Sequence, residues 1–161
     1  WHSVVSIVEA TAEASPHSAN AIMDLAGLRA RQGDTAAQGT LLQQAVAAYP
    51  ESPRANYALG QWYQRDGRVE LAKRHFAVAL TDRPTQTSLK AAMKLGYLNA
   101  VAGENDAAIR YYSRALSIHR DEPGAHYALA LLYRGLDDDQ ARSHAERARQ
   151  LVRPVPPQSI R

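Results

Sequence analysis

The sequence predicts an all-α fold, a solenoid of antiparallel helix pairs, and three observations carry that prediction. Prolines recur on a fixed period, with Pro16, Pro50 and Pro84 each 34 residues from the next. Gly33 and Gly67 keep the same period, and Gly103 follows 36 residues later. Stacked on that period, small residues align in columns: Ala21, Ala55, Ala91 and Ala125, then Ala45, Ala79, Ala115 and Ala148. Self-similarity at a period of roughly 20–50 residues is the signature of a repeat architecture.

Each column has a physical reading. Leu25, Leu59, Leu95 and Leu129 are each followed by a small residue, Ala26, Gly60, Gly96 and Ala130. Small side chains recur where two helix backbones approach, because a larger one would force them apart. Leu42, Phe76, Tyr112 and Ala145 form a column suited to filling the space beside that approach, and Ala72, Ala108 and Ala141 form another, broken by Gln38. The glycine falls between two helical patterns and suits a left-handed turn, while proline falls just past the second helix, which it cannot continue. Asp34 and Asp139 are candidate N-caps for second helices.

The predicted helices are 19–31 with 35–48, 53–65 with 69–82, 88–101 with 105–118, and 123–134 with 139–152. The repeat region then spans 1–152, with units 19–50, 53–84, 88–120 and 123–152. Residues 2–16 read as a partial preceding unit, whose helix 2–14 has lost its partner and leaves an apolar face near Val4, Val5 and Val8 uncovered. The two residues beyond the 34-residue period are assigned to a polar connection, Thr85–Ser88. Residues 153–161 form a Pro-rich tail beginning at Pro154.

Composition narrows the function. The 161 residues are 45% hydrophobic and 22% charged, a globular balance, and the formal charge of +3 is too small to argue for nucleic acid. The absence of cysteine excludes disulfides, thiolate metal sites and thiol nucleophiles. No apolar run reaches the roughly 18 residues of a membrane span. The chain begins with Trp1 inside a helical pattern, so we expect a piece of a longer protein. The six histidines form no HExxH pattern or zinc-like pairing, and Asp137, Asp138 and Asp139 sit where acids cap a helix, without the oxygen-ligand spacing of a calcium loop. No phosphate loop or nucleophile elbow occurs. The expectation is no enzyme, no cofactor and no metal site.

The stretch Asn56-Tyr57-Ala58-Leu59-Gly60-Gln61-Trp62-Tyr63, followed by Gly67, Ala72, Phe76, Ala79 and Pro84, resembles the tetratricopeptide-repeat (TPR) signature, and residues 126–133 repeat it. The resemblance covers about residues 2–152. It departs from the signature at Ile22, Asn56, Ala92 and His126, where Trp is usual, at Arg29 and Asn99, where Tyr63 and Tyr133 stand in the other units, and in a turn one residue short at Gly135–Asp139. HEAT or armadillo arrays would need longer units. The resemblance implies a right-handed superhelix whose first helices line a concave groove, and a role in holding a protein or peptide.

The positions that this places in the groove are Asn20, Met23, Asp24 and Gly27, then Arg54, Tyr57, Gln61, Gln64 and Arg65, then Lys90, Met93, Lys94 and Tyr97, then Tyr127, Leu131 and Arg134. Five cations face one acid, and tyrosines add amphipathic contact area of the kind enriched at interfaces. The expected ligand is an acidic peptide, or one presenting a free C-terminal carboxylate. Lys90 and Lys94 resemble part of the clamp that binds chaperone C-termini, but Met23, Gly27 and Ala58 stand where its other members belong, so that ligand is not favoured. Alternatives are self-association through the open N-terminal end, a structural segment of a bacterial secretion, envelope-assembly or polysaccharide-export component, and the regulatory part of a larger enzyme. Ala- and Arg-rich usage fits a GC-rich bacterium, in cytoplasm or periplasm. RNA binding is disfavoured, because successive units carry no regular side-chain code.

Overall fold

The computed structural model describes residues 7–11 and 18–152, and these are helices and turns. Eight helices follow in order: α1 Ala19–Arg31, α2 Thr35–Ala48, α3 Pro53–Arg65, α4 Val69–Ala79, α5 Gln86–Val101, α6 Asn105–Ile118, α7 Pro123–Tyr133 and α8 Asp138–Val152. Residues 7–11 are also helical. The chain divides into two compact halves, Trp1–Asp82 and Arg83–Arg161. The first holds α1–α4 and the second α5–α8. Within each half the helices pack as successive pairs, with α3 laid on α2 and α7 laid on α6. The all-α repeat class is the one the columns predict. Of the expected partial unit, Val4 and Val5 lie outside the described residues, as does the tail from 153. Val8 is half-buried and Ile7 exposed.

Local chemistry explains where the first helices begin and where the first three pairs turn. The first helices begin at Ser18, Ser52, Thr85 and Glu122, whose side chains accept the N–H groups of Ala21, Ala55, Ser88 and Gly124. Pro53 and Pro123 sit in the first turn, where their missing N–H costs nothing. At the turn between paired helices, Gly33, Gly67 and Gly103 adopt φ of +80°, +75° and +76°. The next residue then returns its N–H to a carbonyl five residues back: Asp34 to Arg29, Arg68 to Tyr63 and Glu104 to Asn99, at 2.9–3.0 Å. This closure needs left-handed backbone, so glycine recurs there.

Two expectations are corrected. The N-cap of α8 is Asp137, not Asp139: Asp137 Oδ1 accepts from the Gln140 N–H at 2.9 Å, while Asp139 lies in the first turn and pairs with Arg142. The fourth turn is one residue shorter, so Asp137 bonds back to the Tyr133 carbonyl and the cap falls one residue earlier in the repeat than Asp34, Arg68 and Glu104 do. Thr85–Ser88 is not a connection. Thr85 caps α5 and Gln86–Ser88 form its first turn, with Ser88 fully buried. α4 ends correspondingly early, at Ala79 rather than 82. Folding the additional residues into helix satisfies backbone groups that a loop would leave to water.

The columns explain one another in the core. A Cβ on Gly60 would sit 2.9 Å from the Phe76 ring, and one on Gly96 2.9 Å from the Tyr112 ring. The small residue of the first helix is thus the complement of the aromatic on the second. Phe76 is fully buried. Gly39 does the same for Trp62, a contact between neighbouring repeats. No described helix is long and apolar enough to cross a membrane.

Candidate protein-interaction surface

In the first half, Arg54 reaches from α3 back to α1. Its guanidinium donates to Asn20 Oδ1 at 3.1 Å and to Asp24 Oδ1 at 3.2 Å. Asn20 and Arg54 are the second residues of consecutive first helices, so the 34-residue period puts them side by side. Arg54 therefore has an ion-pair partner, Asp24, across an exposed contact. Tyr57 is half-buried, with its ring 5.5 Å from that of Phe76, and burial raises its phenol pKa. Its hydroxyl is therefore neutral and can both donate and accept. Gln61 and Gln64 are half-buried and Arg65 is exposed. Trp62 Nε1 donates to the Thr35 carbonyl at 2.9 Å, tying α3 to the start of α2.

In the second half, Lys90, Lys94 and Tyr97 follow one face of α5 at i, i+4 and i+7. Lys90 is exposed, Lys94 half-buried and Tyr97 52% exposed. Neither lysine forms an ion pair among the described residues. Helix α7 meets α5 at Gly124, where a Cβ would come within 3.1 Å of Met93 Cε. Tyr127 is 62% exposed and Arg134 is exposed. Burial, and secondarily the neighbouring Tyr97, raises the Tyr112 pKa.

Tyr127 and Arg134 have neighbours that the sequence did not assign to them. Those neighbours are on α8: Ala148, Arg149 and Val152, which with Tyr127, Leu131 and Arg134 line an open cavity of about 740 Å³. The candidate residues thus comprise Arg54, Tyr57, Gln61, Gln64 and Arg65 in the first half and, in the second half, Lys90, Lys94 and Tyr97 on α5 and Tyr127 with Arg134 on the α7–α8 pair.

Two polar clusters also went unread. Asn56 is buried, donates Nδ2 to the carbonyls of Pro50 and Ser52 at 2.6 and 3.0 Å, and presents Oδ1 to His75 Nδ1 at 2.9 Å. Tyr63 stacks on His75. In the fourth repeat His126 takes the place of Asn56. Its Nε2 lies 3.1 Å from the Arg120 carbonyl, its Nδ1 lies 2.9 Å from His144 Nδ1, and Tyr133 stacks on His144. The sequence signal was the shared column of Asn56 and His126. The histidines on the second helices had none. No group of three or more metal-ligating side chains occurs among the described residues.

No protein-family model and no curated protein sequence matches the chain. Solved structures do. MamA matches at 22% identity and a TM-score of 0.76, over 89% of this chain and 84% of that one. PilF of Pseudomonas aeruginosa matches at 19% and 0.80, over 92% and 67%. PilW, a widely conserved type IV pilus biogenesis factor, matches at 20% and 0.75, over 94% and 70%. These are helical-repeat proteins. The fold of this chain is the tetratricopeptide-repeat fold.

Proposed function

We propose that residues 19–152 are a scaffold that binds a protein or peptide through the exposed faces of its first helices, with the lysine–tyrosine face of α5 as its centre. The observation that carries this reading is Lys90 and Lys94, cations without an ion-pair partner among the described residues, beside exposed Tyr97. The ligand this chemistry fits is an extended peptide bearing acidic side chains or a free C-terminal carboxylate. The lysines attract the charge, and tyrosine supplies contact area at low conformational cost. A preformed helical surface lowers the ordering cost of binding. Membership of a bacterial assembly, such as the pilus biogenesis named for PilW, accords with this role.

A displayed random-peptide library tests it. The wild-type protein is expected to enrich acidic or carboxylate-ended peptides whose binding weakens with salt, and a folded Lys90→Glu/Lys94→Glu variant is expected to lose them. Equal enrichment by both proteins would overturn this assignment.

A further inference from the structure

The cavity between α7 and α8 lies on a surface that both other stacked pairs keep covered. In the first half, α3 packs over the α1–α2 pair, where Ala55 joins Ile22 and Ala45 with Val46 packed against them. In the second half, α7 packs over the α5–α6 pair. The matching surface of α7–α8 has an apolar floor of Ala130, Leu131, Ala145 and Ala148, and Val152 beside it is 70% exposed. On α8 the lining residues 145, 148, 149 and 152 follow i, i+3, i+4 and i+7. That spacing makes a stripe that a helix buries against another helix.

Two positions break the pattern together. Arg134 stands where the first and third repeats carry Ala30 and Ala100. Arg149 stands where they carry Val46 and Leu116. Both arginines line the cavity, and neither forms an ion pair among the described residues, whereas Arg142 and Arg147 on the same helix pair with Asp139 and Asp121. The matching residues of the covered pairs, Ala30, Val46, Ala100 and Leu116, are half-buried, so a further repeat of the ordinary kind, apolar at this contact, would partly desolvate two guanidinium groups and offer them no partner. An occupant with carboxylates at those places would form two charge-assisted contacts instead. Residues 153–161 bring Arg153 and Arg161 and no acidic side chain, so they do not supply acidic side chains to face two arginines.

We propose that this groove receives an amphipathic helix of a partner protein, with a small apolar residue over Ala148 and acidic residues facing Arg134 and Arg149. This goes beyond the α5 peptide face. It shares no residue with Lys90, Lys94 or Tyr97, and its ligand is helical rather than extended.

The test uses two helical probe peptides that share one Ala/Leu stripe and are flanked by either Glu or Lys, with binding followed by anisotropy and by backbone amide shifts of the full chain. The Glu-flanked probe is expected to bind about tenfold tighter and to shift amides of α7 and α8. Arg134→Glu/Arg149→Glu changes two exposed side chains. With helicity retained, it is expected to invert the preference, while Lys90→Glu/Lys94→Glu leaves it unchanged. Equal binding of both probes, no binding, or shifts confined to α5 would overturn the proposal. So would sedimentation showing the groove already closed by a second copy of the chain.

Discussion

The second and fourth repeats build the same polar cluster from different residues. In each, a buried residue near the start of the first helix bonds to a preceding carbonyl and to a histidine of the second helix, and a tyrosine stacks on that histidine. Asn56 Oδ1 can only accept, so His75 Nδ1 donates whether the ring is neutral or charged. His126 and His144 meet nitrogen to nitrogen, a bond that exists only while one ring supplies a proton and the other a lone pair. A second proton leaves two cations 2.9 Å apart with no acceptor between them. The same geometry therefore tolerates acid in one repeat and is broken by it in the other. The two further contacts of the pair, the stacked Tyr133 ring and the Arg120 carbonyl, carry no charge.

The repeats also differ in how much they bury. Phe76 fills the second repeat, and Ala145 stands in its column in the fourth. Phe76→Ala should erase that difference at a cost of about 3–5 kcal/mol, read as lost amide-exchange protection in α3 and α4. Unchanged protection there would remove the ring's special place. The next effect concerns acid. Burial first, and His126 second, lower the His144 pKa. The unfolded chain then takes up the proton first, so this stability is complete above a histidine's usual value of roughly 6.5 and is lost as pH falls through the lower native value. Burial lowers His75 in the same direction, but its partner Asn56 carries no charge. Protection of α7 and α8 should therefore fall more than that of α3 and α4 between about pH 7 and pH 5. His126→Asn, which copies the second repeat, should remove of order 1 kcal/mol of that fall, the scale of one hydrogen bond. An identical pH profile in the variant would refute the shared-proton account. The smallest effect is at the Arg54–Asp24 pair, which has no counterpart in the fourth repeat. Its side chains are over half exposed, so Asp24→Ala should change stability by less than about 1 kcal/mol in chemical denaturation.

Much of the fold was legible because it depends on near neighbours. Gly33, Gly67 and Gly103 announce left-handed turns, and the Ala and Leu columns announce the packed face, since backbone geometry and helical periodicity act within a few residues. Thr85–Ser88 was misread because a polar stretch can either cap a helix or connect two, and the buried Ser88 that decides between them touches other helices. Of the candidate surface, the shared face of Lys90, Lys94 and Tyr97 on α5 was legible from helical spacing. Arg54 was not, because its ion-pair partner lies 30 residues away.

The sequence by itself determined that this chain forms helix pairs on a 34-residue period, where each pair turns, and which small residues meet which large ones. Those are properties of local backbone preference and of a pattern repeated four times. Tertiary structure decided which charges pair internally, which histidines meet, and which apolar stripe no described helix covers. Each of those outcomes depends on what a neighbouring helix brings within a few ångströms, and a linear sequence carries no distance.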